Sequence, residues 1–362
     1  MTAIRSLSAR LERVPLSRPW GAEVTSVGVI ATHVALTDGS EGWGFSWTPQ
    51  IGAEAVLALV EHDIAPAAVG RDADPRETWE PLWRHLHEAG GGGVTTIALA
   101  GLDLALWDAE ARAAGVSISA RLGRRRPSVR AYGSGVNLHY PLDELVAQAR
   151  RWVDAGFDAV KVKVGRPDIA EDADRVAAVR DVLGPGRALM IDANQRWDLD
   201  TATAAIARLE PFAPAWIEEP LRADDLAAHV ELSRRITTPI AAGENVHTVH
   251  RFSEYLDSGA AGVVQPNIVR VGGITPFLRI VGLARAHGVP VHPHLLPELS
   301  GQLALTLPGD PFVEDVEDAG FGALGALADP SPVRIADGLL TELPHTGLGL
   351  RFRHHPTDAI PR

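Results

Sequence analysis

The stretch PLDELVAQARRWVDAGFDAVKVKV, Pro141 to Val164, decides the fold. Up to Gly156 its apolar residues recur at helical spacing, and AVKVKV then reads as a short strand. The same alternation continues on both sides. The strand candidates VRAYGSG, ALMIDAN, AWIEEP, PIAAGEN, GVVQPN, VPVHPHL and PFVEDV are mostly separated by helical segments such as DLAAHVELSRRI. Such alternation implies parallel βα units, and eight strands in roughly 190 residues predict a closed α/β barrel of the TIM type. An open doubly wound sheet is the weaker reading, because no GxGxxG follows the first strand.

Upstream, IRSLSARLERV, VTSVGVIATHVALT and GWGFSWT read as strands, with a DGS turn at Asp38 to Ser40 predicting a hairpin in a small antiparallel sheet. Helical periodicity follows over Ala53 to Ile64, Pro75 to His87 and Val94 to Ala114. The last is small and apolar nearly all round, as a buried helix would be. The basic run RLGRRRPSVR, Arg121 to Arg130, reads as a crossover into the barrel. After residue 325, VRIADGLLTELPHTGLGLRF reads as a return strand and tail that rejoins the N-terminal sheet.

Composition narrows the function. The 362 residues carry a net charge of -12, which argues against nucleic acid or an anionic membrane as partner. Without cysteine there is no disulfide, thiol chemistry or Cys-ligated zinc. MTAIRSLSARLERVPL lacks the apolar run of a signal peptide, and TTIALAGLDLALWDAEA is broken as a membrane span by Asp103 and Asp108. A cytoplasmic protein is the expectation.

In a parallel βα barrel the carboxyl ends of the strands converge on one face. Those ends carry Lys161 and Lys163, Asp192 and Asn194, Glu218 and Glu219, Glu244 and Asn245, Asn267, His294 and Glu314. Asp192, Glu218 and Glu244 are spaced by 26 residues, one βα unit per step. Three carboxylates on adjacent strands form an oxygen-only site suited to Mg²⁺ or Mn²⁺. Lys161 and Lys163 leave the same strand face, which is prohibitively costly in a barrel core unless a polar site receives them. Mutual repulsion and a nearby cation would push one lysine pKa down and free a neutral amine as base. Of the two histidines sharing a strand face, His294 is the catalytic candidate and His292 an inner-layer residue.

The ordered set KVK, DAN, WIEEP, GEN, QPNIVRVGG, PHL and VED resembles the enolase superfamily, mandelate racemase subgroup, over nearly the whole chain. RVGGITPFLRI, ANQRWD and TGLGL resemble, within it, the L-talarate/galactarate dehydratase-like acid-sugar dehydratases. The resemblance implies an N-terminal α+β capping domain over residues 1–125, a (β/α)7β barrel over 126–325, and a C-terminal segment over 326–362 returning to the capping domain. It implies Mg²⁺ on Asp192, Glu218 and Glu244, Lys163 as base with Lys161 assisting, His294 as conjugate catalyst, and Glu314 hydrogen-bonded to the substrate carboxylate. A small-molecule carboxylate substrate and a homo-oligomer are implied too.

The expected activity is Mg²⁺-dependent abstraction of the proton α to a carboxylate, then dehydration to a 2-keto-3-deoxy acid, making the protein a hydro-lyase. A racemase or epimerase, and a metal-binding barrel with weak or no turnover, are the alternatives. The departure is Asn267, where the family usually has an aspartate paired with the histidine. Its carbonyl would accept from His294 Nδ1–H; its NH₂, if turned to the ring, would favour the opposite tautomer. Substrate choice is expected in capping loops at Leu16 to Val24 and Ser46 to Gly52, with Arg18, Trp20 and Trp47, and Asn194 from the barrel, as binding candidates.

Overall fold

Three antiparallel strands open the chain: β1 (Ile4–Trp20), β2 (Val24–Leu36) and β3 (Glu41–Thr48), in the order β1-β2-β3. The computed structural model describes residues 2–20 and 24–353. The turn after Leu36 sits at the DGS signal, with Ser40 N and Oγ both donating to Asp38 Oδ1. The buried helix Val94–Ala113 packs across this sheet. Contact is close because β3 presents Gly42 and Gly44 to it. A Cβ there would lie 2.0 Å from Ala105 O and 2.2 Å from Gly101 O.

Two aspartates of that helix act as joints. Asp108 accepts from Trp43 N at 2.9 Å and Leu348 N at 2.7 Å, tying β3 and the C-terminal segment to the helix. Asp103 accepts from Thr275 N at 3.0 Å, joining the capping domain to the barrel. Burial raises the Asp103 pKa to about 7. Between about pH 4 and 7 the unfolded chain ionises at this position while the folded carboxyl stays protonated, so stability falls as pH rises through that window. Denaturant unfolding across it should show the wild type losing roughly 2–4 kcal/mol relative to Asp103→Asn, which does not titrate. Parallel pH profiles would refute this.

The barrel strands are β4 (Ser128–Ser134), β5 (Ala159–Lys163), β6 (Ala188–Asp192), β7 (Ile217–Glu218), β8 (Ile240–Ala242), β9 (Val263–Val264) and β10 (Phe312–Val316). They run in parallel, β4 through β9 in order, with β10 pairing β4. The helices between them bury one stripe each; Leu142–Asp154 buries Leu145, Gln148, Ala149 and Trp152. Asp168, Asp198 and Asp225 cap three of these helices by accepting from backbone N–H groups. The protein is a (β/α)7β barrel with an N-terminal α+β capping domain.

The expected strand VPVHPHL is reduced to a single bridge, Val264 to Val291. Pro290 and Pro293 lack N–H groups, so no full ladder forms. Backbone bonds still tie the segment to β9, from Val264 N to Pro290 O and from His292 N to Val264 O, both at 3.0 Å, and the links toward β10 run through side chains. Phe312 N donates to His292 Nδ1 at 2.8 Å, and Leu295 N to Glu314 Oε2 at 3.2 Å. His292 lies stacked on Trp216, and burial lowers its pKa to about 4, so it is a neutral inner-layer residue as expected.

The C-terminal return also differs from the expectation. It is a hairpin, β11 (Val333–Ala336) and β12 (Leu339–Glu342), whose second strand pairs antiparallel with barrel strand β4 and not with the N-terminal sheet. Leu340, buried, fills the space beside Gly301 and so favours the barrel edge. Beyond it, Phe352 packs edge-on against Phe45 of the capping domain at 5.2 Å. Two expected capping loops are largely strand: Leu16–Trp20 ends β1 and Ser46–Thr48 ends β3. Residues 21–23 of the first loop and 354–362 of the tail lie outside the described residues. Among the described residues no helix is long and apolar enough to cross a membrane.

Candidate active site

Register places the strand-end residues. Lys163 pairs with Asp192 and Asp192 with Glu218, so the three form one row across β5, β6 and β7. Glu218 pairs with Ala241, which puts Glu244 three residues further along, beyond the end of β8. Equal spacing in sequence therefore does not give equal height in the barrel. Gly243 makes that extension possible: at φ 150° it lies against Gln265 backbone, where a Cβ would come within 2.6 Å.

Lys161 is sealed at 1% exposure among carboxylates, 2.7 Å from Glu314, 2.8 Å from Glu218 and 3.6 Å from Asp192. Burial disfavours its charge, but Glu218 and Glu314 outweigh it and hold the pKa well above the usual lysine range. Lys163 lines an open cavity and forms an ion pair with Asp192. Burial lowers its pKa, and Asp192 more than compensates, leaving it raised. Burial lifts the Glu218 pKa to about 8 against the pull of Lys161, with Asp192 and Glu314 adding repulsion. Burial also resists ionisation of Glu244, but His294 when it carries charge, and Arg270, overcome it and lower the pKa.

Glu314 accepts from Ser134 Oγ at 2.7 Å and Leu295 N at 3.2 Å besides its pairing with Lys161. Although buried, it is held well below the carboxylate range by Lys161. It lines the same cavity as Lys163, where the resemblance places the substrate carboxylate, and would donate to that carboxylate only if protonated.

Asn267 settles the tautomer of His294. Its Oδ1 accepts from Val269 N and Arg270 N, both at 3.1 Å, which turns its NH₂ toward His294 Nδ1 at 3.1 Å. Nδ1 is therefore an acceptor, and the neutral ring carries its proton on Nε2. That nitrogen faces Glu244 Oε2 at 3.3 Å and Glu314 Oε2 at 3.5 Å. Burial lowers the His294 pKa in spite of these carboxylates. A protonated Nδ1 would meet the amide donors head-on, which disfavours the charged ring.

Lys163, Asn194, Glu244, His294, Glu314, Trp20 and Trp47 line one cavity of about 180 Å³. Arg18 does not join them: it stacks on Tyr140 at 3.9 Å and pairs with Glu144. A larger cavity, about 640 Å³, lies around Trp43, Arg112 and Pro332, away from every strand-end carboxylate. Two residues of the site, Gln265 and Arg270, were not among the expected ones. Gln265 donates to Glu218 Oε2 at 2.9 Å, and Arg270 bonds Glu244 Oε1 at 3.1 Å and Asn245 Oδ1 at 2.5 Å. Asn245 in turn donates to both oxygens of Glu219. Gln265 had a usable signal, two residues before Asn267 on the same strand face; Arg270 had none.

The donor set tests whether a divalent ion fits. Asp192, Glu218 and Glu244 offer hard oxygens and little else, as Mg²⁺ requires. Among the described residues, however, the group of metal-capable atoms within 4.8 Å of one another is Glu218, Glu244 and His294. Asp192 is engaged elsewhere: Oδ2 pairs with Lys163, and Oδ1 accepts from Asn194 N at 2.8 Å. Asp192 ends the strand next to Glu218 and pairs with it in register, so three hard carboxylates share one rim and the residues fit.

Residues 5–123 match the mandelate racemase / muconate lactonizing enzyme N-terminal domain, and residues 144–355 match the enolase C-terminal domain-like family. The chain belongs to the mandelate racemase / muconate lactonizing enzyme family of the enolase superfamily. Within that family it is 35% identical to 3,6-anhydro-alpha-L-galactonate cycloisomerase of Streptomyces coelicolor, over 89% of this chain and 88% of that one. It is 37% identical to L-talarate/galactarate dehydratase of Salmonella typhimurium, over 81% of this chain and 74% of that one. The structure of L-talarate dehydratase from Polaromonas sp. JS666, complexed with Mg and L-glucarate, superposes with a TM-score of 0.87 at 36% identity, covering 97% and 95% of the two chains. Acid-sugar dehydratases and cycloisomerases are thus its relatives.

Proposed function

We propose that this member of the family removes the proton α to the carboxylate of an acid sugar and completes a β-elimination, giving a 2-keto-3-deoxy acid. The observation that carries the reading is Lys163, the one strand-end amine lining the cavity that also holds Glu244, His294 and Glu314. Asp192, Glu218 and Glu244 would hold Mg²⁺, which supplies Lewis-acid stabilisation of charge on the substrate carboxylate. Magnesium in the Polaromonas relative supports that assignment.

The two lysines divide the work by burial. Lys161, enclosed by three carboxyl groups, stays charged and stabilises negative charge as it develops. Lys163 has one anionic partner, Asp192; were Asp192 to hold the cation, the Lys163 amine would be free to act as base. The C2–H proton goes to Lys163 Nζ, and the electron pair left on C2 expels the β-oxygen. His294 hydrogen-bonds that oxygen through Nε2–H. It does not surrender the proton, since an imidazolate beside Glu244 and Glu314 would be strongly disfavoured. The proton reaching the leaving oxygen comes from the Lys163 ammonium, and the enol then ketonises.

Racemisation needs a second base at carbon, and Asn267 withholds it by keeping Nδ1 an acceptor. Incubating acid sugars with Mg²⁺ in D₂O should yield 2-keto acid. Solvent deuterium entering recovered substrate with inversion, and no keto acid, would favour a racemase. No exchange in any acid would favour a barrel without turnover. Asn267→Asp should move the His294 proton to Nδ1, visible in its ¹⁵N spectrum, and open a measurable epimerisation route. An unmoved tautomer would break the proposed pairing.

A further inference from the structure

Resting on the reading of Lys163 as base, we infer that Asn137 is a positioning residue for it, held in its working orientation by a relay that starts at Glu317. Successive N–H groups of β5 point alternately to its two neighbouring strands. Val164 N donates to Asp192 O of β6 at 2.8 Å, so Lys163 N faces the side of β4. There the ladder has already opened, since β4 is in register with β5 only at Gly133 and Val160 and ends at Ser134. The side chain of Asn137, fully buried, takes the place of a strand carbonyl. Its Oδ1 accepts from Lys163 N at 3.0 Å.

An amide can do this only with its oxygen turned to the strand, and that orientation is set from outside the cavity. Arg151 holds Glu317 by two bonds, Nε to Oε1 at 2.9 Å and Nη2 to Oε2 at 3.0 Å. Burial disfavours charge on Glu317, but the bonds from Arg151 and Gln148 hold its pKa below the usual carboxylate range, so it only accepts. Gln148, buried against Gly135, therefore presents Nε2 to Glu317 at 2.8 Å and turns Oε1 to Asn137. Asn137 Nδ2 donates to that oxygen at 2.9 Å, which leaves Oδ1 for Lys163. The backbone of Asn137 is fixed as well, its carbonyl accepting from Arg175 Nη2 at 2.8 Å. None of Asn137, Gln148 and Glu317 lines the cavity, so their effect on the reaction passes through the height at which Lys163 leaves its strand.

The test reverses the relay. Asn137→Ala leaves Lys163 N without its acceptor, and kcat for α-proton exchange should fall about 10–100-fold, as for a displaced catalytic group, with KM within about twofold. Amide hydrogen exchange at Lys163, read by ¹⁵N NMR, should quicken about tenfold. Asn137→Asp keeps an acceptor for Lys163 N, yet should be impaired too, because Gln148 then lies between two carboxylates with one NH₂ for both. Adding Glu317→Gln lets Gln148 turn over, donate to the new carboxylate and accept from the new amide. That double variant should recover most of kcat and of the amide protection. A space-filling role for Asn137 predicts no recovery from a substitution elsewhere in the barrel. Unchanged protection in Asn137→Ala, or an Asn137→Asp defect that is absent or that Glu317→Gln leaves in place, overturns the inference. The Lys163 reading fails separately: a wild type that exchanges no α-proton would sink it, while the amide protection would still follow the relay.

Discussion

Lys163→Ala is expected to slow α-proton exchange by about 10²–10⁴-fold, the usual contribution of a general base, with folding and Mg²⁺ binding retained. The side chain is partly exposed to the cavity and its single ion pair is with Asp192. Its removal leaves Asp192 beside Lys161 at 3.6 Å, so the carboxylate is not stranded. Freed from the Lys163 ammonium, Asp192 is better placed to serve a cation, and Mg²⁺ affinity measured by calorimetry should be unchanged or tighter. Exchange followed by ¹H NMR in D₂O separates the roles. Exchange that survives in the variant places the base elsewhere. Loss of Mg²⁺ binding together with exchange makes Lys163 structural.

Lys161→Met should act on the fold first. The ammonium is the common counter-charge of Glu218, Glu314 and Asp192, all buried. Removing one partner of a buried ionic group while the others remain costs about 3–5 kcal/mol. Unfolding by denaturant without divalent ion should show that loss, and added Mg²⁺ should recover part of it by replacing the lost positive charge. A variant as stable as the wild type without Mg²⁺ would mean that these carboxylates are protonated and uncoupled from Lys161. Lys163→Ala should show neither the loss nor the recovery, since its pair is the more exposed one. The two lysines are thus distinguishable by stability alone.

How far the sequence was legible follows from the range of each interaction. Alternation of helix and strand, the buried helix from Val94, the hairpin at Asp38 and the identity of the strand-end residues are local matters. A period of two along AVKVKV puts Lys161 and Lys163 on one face, and the barrel rule puts every strand's carboxyl end on one rim. The seventh strand misled because apolar residues mark a strand while Pro290 and Pro293 deny it a ladder. The return hairpin misled because its pairing partner, β4, lies some 200 residues away in sequence.

By itself, then, the sequence determined the fold class, the set of groups that meet on the rim, and the one uncharged member among them, Asn267. Tertiary structure decided what that amide does. Backbone N–H groups of Val269 and Arg270 hold its carbonyl, so its NH₂ faces His294 and the ring's proton rests on Nε2. Tertiary structure also raised Glu244 above the row of Asp192 and Glu218, committed Arg270 to Glu244, and brought Trp20 and Trp47 over the barrel mouth. Residue type sets what a side chain can donate, accept or ionise. Which of those capacities is used depends on partners that only folding brings within hydrogen-bond distance.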